Sequence, residues 1–187
     1  MNEGLSTVQT ARVVGGLHWA TSRLFEVLGL WASEADRPDI AVSQATASRH
    51  LGWHATDLEE LLPDSVLIEG EARTEPHTPQ VDGAVEAIRA IPGSLERLAV
   101  THRVLLPRVA ARCVTVERLA APHQDAALAR VLAFLLADLR RDRDDGEVLL
   151  GRLLHDVATV ERVHARVLEA ESRLVAVGGL LPAGVDD

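Results

Sequence analysis

The stretch VVGGLHWATSRLFEVLGLWA, residues 13–32, decides the fold class. Val14, Leu17, Leu24, Leu28 and Trp31 return every three or four positions. Thr21 interrupts this stripe, and His18 and Phe25 flank it. That is the period of a helix with one face turned to a core. The same period runs through most of the chain. The alternation of apolar and polar residues that marks a strand is nearly absent, so the expected fold is all-α.

Working outward, the first helix is expected over residues 6–32. Asp36-Arg37-Pro38 reads as a cap with proline in the first turn of a second helix, which runs to Leu62 and stops at Pro63. Residues 63–80 hold Pro63, Pro76, Pro79 and Gly70 and are expected to form a long surface connection. A short helix over 81–91 ends at Pro92-Gly93. A longer one over 94–121 is expected to kink at Pro107. Pro122 opens the next, which reaches Leu154 with a weak point at Gly146. The last helix, 156–177, stops at Gly178-Gly179. One long connection between long helices suggests a single domain over 1–187, a four-helix bundle with a crossover and one or two extra helices.

Composition excludes several functions. The chain has 187 residues, 47% of them hydrophobic, and a net charge of −9. All 19 basic residues are arginine, so Schiff-base lysine chemistry and a P-loop lysine are excluded. The acidic balance argues against a nucleic-acid partner. Cys113 alone makes neither an intrachain disulfide nor a cysteine zinc site, as expected in a reducing cytoplasm. No apolar run approaches the roughly 18 residues of a membrane span, and no signal peptide is expected. Neither a Gly-rich phosphate loop nor an aromatic platform for a flat cofactor is present.

Polar residues recur on the apolar stripes. His50 and His54 are four apart and share a face of the second helix. His102 sits in the stripe Leu95, Leu98, His102, Leu105, Val109. Asp138 follows the run VLAFLLA and is expected near mid-bundle. Asp142 and Asp145 lie in RRDRDDGE, which reads as a solvated, arginine-paired run. In the last helix the expected stripe is Val157, Val160, His164, Val167, Glu171. Buried polar groups cost free energy unless they bond one another, water, a metal or a ligand.

Arg23-Leu24-Phe25-Glu26-Val27-Leu28-Gly29 followed by Arg49-His50-Leu51-Gly52-Trp53-His54-Ala55 resembles ferritin-like bacterial proteins related to the di-iron tRNA hydroxylases. Arg130 through Asp138 and Asp145 through Leu150 are similar to a later helix of that group. The resemblance implies one Glu from each of two helices and a Glu-x-x-His from each of the other two. Here the slots read Thr21, then Ala47-Ser48-Arg49-His50, then Thr101-His102, then Asp138-Leu139-Arg140-Arg141. Of six ligands, His50 and Asp138 remain. The site reads as a degenerate metal site.

Three functions follow as expectations. The first is a metal-free enzyme or small-molecule binder of the cyclisation, isomerisation or dehydration type. His50, His54 and His102 would act as acid-base groups, with Asp138 orienting one of them. His18, Thr21 and Trp53 would contact substrate, and no cofactor is expected. The second is an iron-dependent oxygenase or single-metal enzyme holding its metal on His50, His54 and Asp138. The third is a non-catalytic helical assembly protein, for which the acidic surface and apolar last helix suit a homodimer. An enclosed polar cavity beside His50, His54 and Asp138 favours the first. Filled packing there favours the third.

Overall fold

The computed structural model describes residues 4–64, 68–121, 123–182 and 184, with the Glu69 side chain left aside. Among them the chain is all-α, with no strand. Helix α1 spans Thr7–Ser33, α2 Pro38–Glu59, α3 Pro79–Arg89, α4 Ser94–Val100, α5 Leu106–Leu119, α6 Ala126–Leu153 and α7 Val157–Ala176. A π-helical turn, Thr101–Leu105, joins α4 to α5, so residues 94–119 form one interrupted rod.

Local chemistry sets the ends. Ser6 caps α1 through a capping box, its hydroxyl accepting from the Gln9 amide while the Gln9 side chain accepts from the Ser6 amide. Pro38 and Pro79 occupy the first turns of α2 and α3. Asp156 caps α7 by accepting from the Thr159 amide. At its far end Gly178 and Gly179 take positive φ, and the Gly179 amide donates to the Leu174 carbonyl.

Cross-links fix the helix directions. His18 Nδ1 donates to the Ala55 carbonyl and Ser48 Oγ to the Phe25 carbonyl, so α1 and α2 are antiparallel. Arg23 pairs with Asp82 and Glu86, and Trp31 Nε1 donates to the Arg89 carbonyl, so α3 runs parallel to α1. The rod α4–α5 is antiparallel to α1. Asp36 meets Ser94 at one end, and Leu5 meets Gln124 at the other. Helix α6 returns antiparallel to α2, and α7 runs alongside α4–α5 through Arg162–Glu96 and Arg108–Glu171.

Several expected details are corrected. Helix α2 ends at Glu59, not Leu62, and α6 starts at Ala126. Pro122, the expected start of that helix, lies outside the described residues. The 63–80 connection is not all surface loop. Residues 69–71 form a 3₁₀ turn, Pro79 and Gln80 belong to α3, and the Arg73 backbone lies so close to Gly15 that a Cβ there would sit 2.8 Å from the Arg73 carbonyl oxygen. Gly146 is no weak point but a contact inside an unbroken α6. On α7 the buried stripe is Val163, Ala170 and Leu174, with Val167 partly buried. His164, Val157 and Val160 face outward, because the helix carries apolar residues on two faces.

Burial divides the apolar residues into a main core that draws on all seven helices, α7 through Ala170 and Leu174, and a smaller cluster of Ile40, Leu98, Ala99, Leu150 and Val163. No described helix is long and apolar enough to cross a membrane.

Candidate functional site

The two apolar clusters meet at a polar layer. On α2, Gln44 falls between Ile40 of the smaller cluster and Ala47 of the main core. On the rod, Thr101 and His102 fall between Leu98 and Leu105. On α6, Asp142 and Gly146 fall between Leu139 and Leu150. The π turn is at this level. The Leu106 amide donates five residues back, to the Thr101 carbonyl, which inserts one extra residue into the turn. Pro107, which has no amide proton, follows at once, and the interruption of the rod beside it is a π turn.

His102 is fully buried. Its Nε2 shares a 3.1 Å hydrogen bond with Ser43 Oγ, and its Nδ1 has no hydrogen-bond partner among the described residues. The ring lies on the backbone of Gly146, where any Cβ would overlap it. Burial pushes the His102 pKa down to about 4, against the opposing charges of Glu147 and Asp145, so the imidazole is neutral at pH 7. Beside it Thr101 Oγ1 lies 3.0 Å from both Gln44 Oε1 and the Arg97 carbonyl. One hydroxyl proton serves one of these at a time, and the buried Gln44 Nε2 has no hydrogen-bond partner among the described residues.

Two His–Asp pairs bridge α2 and α6. His50 Nδ1 donates to Asp142 at 2.9 Å, and His54 Nε2 donates to Asp138 at 2.8 Å. Antiparallel helices place the pairs one turn apart. The Asp142 side chain is only 5% exposed and the His50 side chain 16%. Burial raises the Asp142 pKa above the ordinary carboxylate value, the hydrogen bond from His50 lowers it, and the neighbouring Asp138 and Asp145 add to the rise. His54 Nδ1 is buried, with Asp57 3.5 Å away, too far and poorly aligned for a hydrogen bond.

The expected residues are therefore only partly united. His50, His54 and Asp138 all sit on the α2–α6 seam, but Asp138 serves His54, and the partner of His50 is Asp142. The expectation of a solvated Asp142 is reversed, and Asp138 is the more exposed of the two carboxylates. Asp145 is exposed. Thr21 is wholly buried, and its hydroxyl donates to the Leu17 carbonyl of its own helix, so it offers a substrate nothing. His102 is sealed and neutral, a poor base near pH 7. Ser43, Gln44 and Asp142 were missed as site residues. Asp142 had a signal, since Leu128, Leu132, Leu135, Leu139, Asp142, Gly146 and Leu150 form one helical stripe.

Two clefts flank α2. One of about 220 Å³ opens between α2 and α6, lined by Asp39, Ser43, Thr46, Asp142 and Asp145 among others. The other, about 590 Å³, lies along α1 and α2 and brings His18 and Trp53 together with Phe25, Ser48 and Arg49. Phe25 packs on Gly52, where a Cβ would come within 2.9 Å of its ring. Trp53 is exposed at this rim, with Arg49 over its ring at 5.2 Å and the His50 ring tilted against it at 5.7 Å.

No known protein family, curated protein or solved structure matches the chain. The donor set does not fit a di-iron centre. Ala47 presents a buried methyl where the resemblance would place a bridging carboxylate, and Thr21 bonds its own helix. His50 and His54 each hold a separate aspartate. Among the described residues no group of three or more His, Cys, Asp or Glu side chains is placed to hold a metal ion, so His50, His54 and Asp138 do not form the ligand trio considered from the sequence.

Proposed function

We propose that this chain is a small-molecule binder or acid-base enzyme built on a degenerate ferritin-like bundle. The directions of α1, α2, α4–α5 and α6, with the chain returning through α3 between the second and third, support that architecture. The observation that carries the function is the His50–Asp142 pair. The carboxylate holds Nδ1, fixes the tautomer, and leaves the opposite edge of a partly exposed imidazole for proton transfer. Trp53 links this dyad to the α1–α2 cleft, which has room for a small organic ligand. Reactions within reach are proton abstraction next to a carbonyl, isomerisation, dehydration and cyclisation. Asp39 and Asp145 around the Asp142 end of the seam disfavour an anionic substrate.

Ligand-observed NMR with a library of neutral, cationic and anionic fragments tests this reading. Bound fragments are expected to be neutral or cationic. Their binding is expected to disappear in Trp53→Ala and to weaken in Asp142→Asn, with helical content unchanged in both. Fragments that bind equally well to both variants would overturn it. A second reading, a non-catalytic bundle whose polar layer sets helix register, is favoured by His102 sealed against Gly146. It predicts no fragment binding on this seam.

A further inference from the structure

Helix α7 carries four of the ten large apolar side chains that the described surface exposes: Val157 at 73%, Val160 at 43%, Leu168 at 52% and Val175 at 63%. Its buried stripe of Val163, Ala170 and Leu174 already holds it to the rod, so Val157, Leu168 and Val175, within about 20° of one another around the helix, form a second face that no described residue covers, with Val160 at its edge. We propose that this face docks against the same face of a second copy of the chain, with the two α7 helices antiparallel.

Three observations choose a second copy. The first is spacing. Ala158, Ala165 and Ser172 stand seven apart, as do Leu168 and Val175, which is the period of helices that wind together. The second is self-complementarity. In an antiparallel pair with the two-fold axis between positions 166 and 167, Leu168 of one copy meets Ala165 of the other, Val175 meets Ala158, and Glu161 meets Ser172. Leu168, Val175 and, against Ala176, Val157 each face a small residue, Val160 lies off this seam, and the symmetry makes every such contact twice. The third is charge. The chain carries −9, so two copies repel over most of their surfaces. Helix α7 balances Glu161, Glu169 and Glu171 against Arg162, Arg166 and Arg173. Arg162 and Glu171 are engaged with Glu96 and Arg108 of their own chain, and Arg166 and Arg173 with Glu169.

A twenty-residue helix is about 30 Å long. A helix pair of that length lies at the small end of stable interfaces, near about 1,000 Å² in total, so a dimer that dissociates in the micromolar range is expected. Sedimentation velocity of the full chain from about 1 to 200 µM, a span chosen to bracket that range, tests the proposal. The wild type is expected to pass from monomer to dimer. Leu168→Glu, a surface change that leaves the core intact, is expected to stay monomeric with unchanged helical content. Adding Ala165→Arg places opposite charges across the two-fold axis and is expected to restore the dimer. A wild type that stays monomeric throughout, a Leu168→Glu dimer as strong as wild type, or no rescue by Ala165→Arg would each overturn it.

Discussion

Gly146 and His102 form the tightest contact in the polar layer, and its consequences are local. A methyl at 146 overlaps the imidazole, which is wholly buried and whose Nε2 is tied to Ser43. Gly146→Ala is expected to destabilise the fold by about 1–3 kcal/mol. The double variant Gly146→Ala/His102→Ala should lose less than the sum of the two single losses, because removing the ring makes room for the methyl. Urea unfolding of the four proteins checks this, and strict additivity would show that the ring can move aside. His102 also ties stability to pH. Its pKa is about 4 in the fold against 6.5 when unfolded, so the unfolded chain binds the proton more tightly between those values. Stability therefore rises with pH across about 4 to 6.5 by up to roughly 3 kcal/mol, and is fully present above 6.5. Asp142 opposes this. Its raised pKa gives a contribution that is present at low pH and lost as pH rises through the folded value. His102→Asn should flatten the slope above pH 5, and an unchanged slope would assign the dependence to other groups.

At the scale of elements, α1 and α7 show what a sequence discloses. In α1 one face is apolar and the opposite face is not, so Val14, Leu17, Leu24, Leu28 and Trp31 read directly as core, and all are buried. Helix α7 has two apolar faces, and periodicity alone does not say which one the rod covers; the expected stripe turns outward at Val157, Val160 and His164 and meets the core only at Val167. Asp142 was hidden by its neighbours. Arg140, Arg141, Arg143 and Asp144 are exposed, and the run looks uniformly solvated until the stripe from Leu135 to Leu150 is followed through it. Ser43 and Gln44 gave no signal, since small polar residues near a helix start are ordinary surface. The π turn was marked only by Pro107. The pairing of α2 with α6 carries a prediction of its own. His54→Ala and Asp138→Asn each break the same bridge, one turn from the His50–Asp142 pair, and each should weaken ligand binding no more than Asp142→Asn does while circular dichroism stays that of the wild type. Survival of binding in both would confine the function to His50 and Asp142.

Over the whole molecule, the decisive issue is whether the bundle has exchanged a metal centre for a His–Asp layer. Thr21 and Ala47 are buried where the resemblance would place carboxylates. Introducing Thr21→Glu with Ala47→Glu should cost several kcal/mol in chelator, because two carboxylates are desolvated without partners. A double variant that melts with the wild type would mean that these positions reach water. The most direct measurement is elemental analysis of the full chain, purified without chelator and without added metal. The His–Asp layer predicts well under one iron per chain. Two tightly bound irons per chain would contradict it and restore an oxygen-activating centre.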